Sequence, residues 1–305
     1  MPGINPEDMA AWAKPPGDFM LSWTEDVLRE ALRYARRLGE RPYEIFLQGS
    51  YASRTNIDEL SDVDLVVMLQ LPFEEDIDAL DVAGKANFDR RYWEDFYGWE
   101  DFREDVLDSL RESYFVDPGN KCIGICDWDS LARVPADILP ALEFRLYSAF
   151  PNPFTEIYQQ GVFFRDGAGN PITNFPKQHV ANGNDKDLRT GRRFKQVIRV
   201  AKHARRLAVQ QRLLDEGMGP SYLIECLLYN VPDEFYRAAL PDAFYGAVDW
   251  LHRCCHEKPK TFAELPCQNE LIALFGDGPD QLKVLAAEKL IDALLKVQST
   301  DARTR

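Results

Sequence analysis

Two aspartates, Asp62 and Asp64, stand two residues apart at the head of an apolar run, DVDLVVML, and Gly49-Ser50 closes the preceding run, YEIFLQGS. Side chains two apart on a strand share a face, so both carboxylates project from one edge of a sheet. Like charges held that close repel unless a cation neutralises them, and Mg²⁺ suits carboxylate and phosphate oxygens. Two such ions, roughly 3.5–4 Å apart, can clamp the attacking and leaving oxygens of an in-line phosphoryl displacement. Glycine lets the backbone approach a phosphate closely, and the Ser50 hydroxyl and N–H can donate to its oxygens. A Gly-Ser pair alone means little, and acids flanking a strand are commonly a solvated turn. With Asp62 following Ser50 by 12 residues and a strand on each side, the combination implies a site for a nucleoside triphosphate on magnesium.

The elements that must position these residues follow from hydrophobic period. Val27, Leu28, Ala31, Leu32, Ala35 and Leu38 fall at helical spacing, with Thr24 as N-cap and Gly39 as stop. Tyr43 to Ser50 and Asp62 to Leu69 read as neighbouring strands. Trp99 to Ser113 reads as an acidic amphipathic helix, and Lys121 to Ile125 and Ala136 to Tyr147 as two more strands. Pro140 makes the last of these an edge strand or marks a bend. Gly161 to Thr173 carries a hairpin signal around Asp-Gly-Ala-Gly-Asn. After Pro176 the period becomes helical, with helices expected over Thr190 to Leu214, Pro220 to Tyr229, Ala243 to His256 and Asp280 to Val297. The expected organisation is an α+β protein. Residues 20–175 form a catalytic sheet lobe, 176–298 form a helical lobe that completes a nucleotide pocket in the cleft between them, and 1–19 and 299–305 are loose ends.

The Gly-Ser, variable turn, Asp-x-Asp string resembles the signature of the DNA polymerase β-like nucleotidyltransferase superfamily. That resemblance implies a third metal-binding carboxylate on a later strand, which also deprotonates the attacking sugar hydroxyl. Asp137, opening the run ADILPALEF, is the expected match, and Asp127 and Asp129 read better as turn residues. Further along, FKQVIRVAKHARR resembles the helix of oligoadenylate synthases and cyclic GMP-AMP synthase whose lysine contacts the triphosphate, which places Lys202 in that role. PSYLIECLLYNVP resembles their Ser-Tyr helix, where Ser221 would bond the phosphates and Tyr222 would stack on the donor base. NFPKQHVANGNDKDLRTGRRFK looks like the linker before that helix in bacterial cGAS/DncV-like nucleotidyltransferases. The likeness runs from about Gln48 to Pro232, about three-fifths of the chain. It implies Asp62, Asp64 and Asp137 as catalytic metal ligands for Mg²⁺, with Mn²⁺ as the alternative. Gln48, Gly49, Ser50, Lys202, Ser221 and Tyr222 are implied as substrate-binding.

Composition narrows the substrate. The net charge is −14, so general electrostatic binding of nucleic acid is disfavoured and no template is expected. The charge is uneven: Glu74 to Glu112 holds 14 acids against 5 bases, and Lys177 to Arg212 holds 11 bases against 2 acids. The acidic run reads as a solvated face, and the basic run could receive a small polyanion. No stretch approaches the roughly 18 apolar residues of a membrane span, and no signal peptide opens the chain. Its six cysteines do not form a disulfide framework, so a reducing cytoplasm is the expected home; a monomer is expected as well. His252, Cys255, His256 and Cys267 could be drawn together as a zinc site, but the spacing of the zinc insertion in the animal DNA sensor is absent. Buried cysteines on an amphipathic helix explain them, so structural zinc is not expected. The resemblance to the cGAS/DncV-like enzymes implies synthesis of a cyclic di- or trinucleotide signal from NTPs in anti-phage defence, acting through a downstream effector; the alternatives are transfer of NMP to another acceptor (a linear oligonucleotide, antibiotic, protein or RNA end) and an inactive scaffold. The intact Asp62/Asp64 pair disfavours the last.

Overall fold

The computed structural model describes residues 4–16, 26, 29, 32, 38–39, 41–58, 62–92, 97–126, 136–278 and 281–297. Among them lie seven strands: β1 (Tyr43–Leu47), β2 (Val63–Asp76), β3 (Phe115–Pro118), β4 (Ile123–Cys126), β5 (Ala136–Asn152), β6 (Thr155–Arg165) and β7 (Pro171–Asn174). The helices are α1 (Pro6–Trp12), α2 (Gly49–Ala52), α3 (Val82–Arg91), α4 (Trp99–Arg111) and α5 (Pro176–Arg189). After these come α6 (Arg193–Gln210), α7 (Ser221–Asn230), α8 (Leu240–Glu257), α9 (Pro259–Ala263) and α10 (Val284–Lys296). Of the helix expected over Thr24 to Leu38, Asp26, Arg29 and Leu32 are described and helical, and the rest lies outside the described residues.

The chain divides into two compact units. One is Asp18–Gln48 with Leu60–Lys177; the other is Met1–Gly17, Gly49–Glu59 and Gln178–Arg305. The first is built on one mixed sheet of order β1-β2-β5-β4-β3, with β6 pairing β5 and β7. Only the β2–β5 pair is parallel among these ladders. Apolar side chains fill both faces of β2 from Leu65 to Leu69, which is why that strand sits inside the sheet. The acidic helix α4 turns Trp99, Phe102, Val106 and Leu110 inward and leaves Glu100, Asp101 and Glu104 to solvent. A smaller aromatic cluster joins Phe88 of α3 to Tyr147 and Phe150 of β5.

Pro140 departs from expectation. β5 is not an edge strand: it pairs with β2 along one side and with β4 and then β6 along the other. Along β5 the ladder with β4 stops at Ile138 and the ladder with β6 starts at Leu142, so Pro140 falls in the gap between them. No ladder partner there asks for the N–H that proline lacks. Its carbonyl accepts instead from Trp99 Nε1 at 2.8 Å.

The second unit is helical, with a core drawn from α6 (Phe194, Ile198), α7 (Leu223, Leu227), α8 (Phe244, Val248) and α10 (Leu290, Leu294). Two expectations are corrected in it. The N-terminal stretch is not a loose arm over its described part: Met9 of α1 is fully buried, the Ile4 N–H donates to the Tyr245 hydroxyl at 2.7 Å, and Trp12 stacks on His203. Ile4, Met9 and Ala13 form an apolar stripe too sparse to register as a periodic run, and it completes this core. The stretch likened to a linker before α6 is itself largely helical, because most of it is α5, a helix not among those expected. Thr190 ends that helix, accepting from the Phe194 N–H at 3.2 Å, and Gly191 and Arg192 reverse the chain with positive φ. Residues 299–305 lie outside the described residues, and no helix among those described is long and apolar enough to cross a membrane.

Candidate active site

The carboxylates are assembled by strand register. Val63 and Leu65 are fully buried while Asp64 between them is half-exposed, so Asp64 faces away from the core, and exposed Asp62 precedes the strand by one residue. Because β2 and β5 run parallel, Asp64 pairs directly with Asp137. Registered neighbours on adjacent strands share a face at the strand spacing of roughly 4.8 Å. The third acid expected from the sequence is therefore brought beside the first two by a strand more than 70 residues downstream. On its other side Asp137 pairs with Gly124 of β4, where a β-carbon would stand 3.7 Å from its Oδ1. Gly124 in turn pairs with Asp117 of β3. The row thus reads Asp64, Asp137, Gly124, Asp117, with the glycine leaving space beside the central carboxylate.

The electrostatics mark this row as strained. Burial first, and then the charge of Asp62, hold the Asp137 carboxyl above the usual carboxylate range. Cys122, just before β4, lies in the same field. Burial pushes its thiol up to about 12, helped by the charges of Asp137 and Asp64, so it is a poor nucleophile. A carboxyl whose proton affinity is raised by burial and by a neighbouring acid fits a divalent cation, which removes that repulsion. Asp127 and Asp129, the other acids considered for this place, lie outside the described residues.

The Gly-Ser segment is a turn rather than the end of a strand. β1 stops at Leu47, the Gln48 N–H donates to the Asp64 carbonyl at 2.9 Å, and α2 starts at Gly49. Gly49 has φ +67°, where a β-carbon costs roughly 1–2 kcal/mol. Gly49→Ala is expected to lose that much stability in urea denaturation and to slow turnover at saturating NTP. An unchanged denaturation midpoint would show that the turn relaxes around alanine.

In the helical unit, α2 and the residues after it are held by a buried polar cluster. The Ser50 carbonyl accepts from the Thr55 N–H at 2.8 Å, and the Thr55 hydroxyl donates to Glu225 Oε1 at 2.6 Å. Lys202 Nζ also reaches that oxygen, at 2.6 Å, and Thr55 Oγ1 at 3.1 Å. His179 Nε2 meets the other oxygen, Glu225 Oε2, at 3.0 Å. Lys202, expected on a triphosphate, is thus only 4% exposed and serves as counter-ion to Glu225. Burial alone would raise the Glu225 carboxyl. The charge of Lys202 and the hydrogen bonds from His179 and Lys202 outweigh it, pulling the group down to about 2.

Other bases on α6 are similarly engaged. Arg199 donates to the carbonyls of Ala13 and Arg54, and Arg206 pairs with Asp58. The basic run therefore largely anchors backbone and acids inside its own unit. Ser221, by contrast, is exposed at the first turn of α7, where unpaired N–H groups and the helix dipole favour an anion. Tyr222 follows it, half-buried, one ring face stacked on His179 at 5.3 Å between centroids. Thr55, His179 and Glu225 were not singled out from the sequence. A lone acid inside the apolar run SYLIECLLYN was the available signal for Glu225, because such a charge is buried only when paired.

The zinc set considered from the sequence does not assemble. Cys255 is buried, with its thiol toward Glu288 at 3.7 Å, and Cys267 lies against Cys226 and Tyr222.

A sheet whose register pairs Asp64 with Asp137, with Asp62 just before the strand, after a Gly-Ser turn and followed by a Ser-Tyr helix in a helical unit, is the architecture of a nucleotidyltransferase. Comparison with known proteins agrees. Residues 28–150 match the nucleotidyltransferase domain family, and residues 181–299 match the cGAS/DncV-like nucleotidyltransferase C-terminal helical domain. The cyclic nucleotide synthase CdnE01 of Staphylococcus haemolyticus is 34% identical over 253 residues, 81% of this chain and 82% of that protein. The cyclic UMP-AMP synthase of Rhodothermus marinus is 34% identical over 264 residues, 85% of each. The solved structure of the R. marinus CdnE c-UMP-AMP synthase with Apcpp and Upnpp superposes with a TM-score of 0.80 at 30% identity, covering 95% of each chain. The chain belongs to the cGAS/DncV-like nucleotidyltransferases.

Proposed function

We propose that this enzyme joins two nucleoside triphosphates into a cyclic dinucleotide signal, releasing pyrophosphate at each of two bond-forming steps. The observation that carries the reading is the direct pairing of Asp64 with Asp137, with Asp62 acting on the same group. The names of the relatives, cyclic nucleotide and cyclic UMP-AMP synthases, support the cyclic product. Asp62, Asp64 and Asp137 would hold Mg²⁺, with Mn²⁺ as substitute. When bound, the metal neutralises charge on the transferring phosphate and orients its oxygens.

The remaining chemistry falls to the chain. Asp137, whose raised proton affinity suits a general base, accepts the proton of the attacking sugar hydroxyl. That oxygen bonds to the α-phosphorus of the donor, and the bond to the bridging oxygen of pyrophosphate breaks. Gln48, Gly49 and Ser50 present backbone and hydroxyl donors to the phosphates, and Ser221 does so from the α7 terminus. The face of Tyr222 turned away from His179 offers a stacking platform for the donor base. Lys202 acts one step back, holding Glu225 and Thr55 in place. A role in phage defence and an effector protein that reads the product follow as parts of the same proposal.

Incubating the protein with the four NTPs and Mg²⁺, followed by phosphatase treatment and mass spectrometry, tests this. The expected product is phosphatase-resistant, with the mass of two nucleotides joined by two phosphodiester bonds. A phosphatase-sensitive linear product, or transfer only to an added acceptor, would sink the cyclic reading.

A further inference from the structure

We propose that His252, His256 and Asp292 form a divalent transition-metal site that ties α8 to α10. It differs in donor chemistry from the carboxylate row, and neither the relatives' names nor the reaction calls for it. His252 and His256 are four apart on α8, so their rings project from one face. They lie 4.4 Å apart between centroids. α10 packs on α8 and delivers Asp292 to the same place, with its Oδ1 3.8 Å from His252 Nε2 and 3.9 Å from His256 Nε2.

Those separations are too long for hydrogen bonds. They are close to what a shared ion needs: ligand atoms each about 2.0–2.2 Å from a zinc ion stand about 3.0–3.5 Å apart around it. Small side-chain rotations close the difference, and the side chains of His252, His256 and Asp292 are 38%, 50% and 42% exposed, so they have room to make them.

Three further features favour a cation here. His256 is in the last turn of α8, where the helix dipole attracts positive charge. Glu288, one turn before Asp292 on α10, adds negative charge beside the site, where it meets the Cys255 thiol. Two imidazoles and one carboxylate select Zn²⁺, Ni²⁺ or Cu²⁺ over Mg²⁺, which prefers an all-oxygen shell. Three protein ligands leave at least one position open to water or to a donor from another molecule.

The test uses the untagged full chain and Zn²⁺ in competition with a chromophoric chelator. With saturating Mg²⁺ present to fill the carboxylate row, one saturable Zn²⁺ equivalent is expected in the native protein, with a rise in thermal midpoint beyond that given by Mg²⁺ alone. His256→Gln and Asp292→Asn should each weaken Zn²⁺ binding by at least about tenfold and abolish the rise. Both replace exposed side chains, and melting in EDTA confirms that the variants fold. Absence of saturable binding in the native protein, or equal affinity in both variants, overturns the proposal. Product formation in Mg²⁺ alone should be unchanged in the variants, so failure here and failure of the synthase reading are read separately.

Discussion

Asp137→Asn is expected to cut product formation by at least about 10³-fold while leaving the protein folded. A factor of 10³ is about 4 kcal/mol in barrier height, within the several kcal/mol that neutralising charge on a transferring phosphate supplies. The same loss is expected for Asp64→Asn, its registered neighbour. The stability readout makes the experiment specific. Burial and the Asp62 charge raise the Asp137 carboxyl, so its ionised form is a cost to the folded state at neutral pH. Asparagine removes that charge and keeps the shape. The melting temperature measured in EDTA should therefore stay level or rise, the pattern of a residue kept for activity against stability. A variant retaining more than about a tenth of native turnover would remove Asp137 from the proposed chemistry.

The largest stability loss is expected at Glu225. Glu225→Ala leaves the Lys202 ammonium buried without its partner, and Lys202→Ala leaves the carboxylate so. Breaking a buried pair from one side costs about 3–5 kcal/mol. The double replacement Lys202→Met with Glu225→Leu removes both charges and should recover much of that loss in urea denaturation. The difference between the double variant and the sum of the singles measures the pairing. Turnover should fall even in the stable double variant, because the Thr55 hydroxyl loses its fixed partner and Thr55 is the residue whose N–H holds the Ser50 carbonyl.

The same pair sets an acid limit. The Glu225 carboxyl is depressed from an ordinary 4.5 to about 2, so its stabilising contribution is complete above about pH 4.5. That contribution drains away as pH falls from there towards 2. The Glu225→Leu, Lys202→Met protein should show a flatter stability profile across that window. If native and double-variant profiles run parallel there, Glu225 does not titrate as the geometry requires.

Much of the candidate site was legible in the chain because its residues are local. Asp62, Asp64 and the Gly49-Ser50 turn lie within one hairpin, so alternation along β2 already puts the two acids on one side. The hairpin at Gly161 to Thr173 and the amphipathic α4 are also local: a turn sequence and a repeat of period 3.6 specify them without help from the rest of the fold. Asp137 could be proposed as an acid opening an apolar strand. Its place beside Asp64 could not, because parallel pairing is a contact between segments far apart in sequence.

Pro140 shows the limit from the other side. Proline in a strand argues for an edge, and only the gap between the β4 ladder and the β6 ladder lets it lie in the middle of a sheet. Lys202 shows it again. On the helix it is a basic residue in a basic run, and a ligand contact is the natural expectation. Glu225, 23 residues away, and Thr55, 147 residues away, claim its ammonium once the chain is folded. Residue types and short spacings thus determined that a pair of carboxylates follows a Gly-Ser turn, the pattern on which the proposed chemistry rests. Which charges remain to meet a ligand, and which neutralise one another inside, was decided by tertiary packing. A charge withdrawn from water must find its partner wherever the fold brings one.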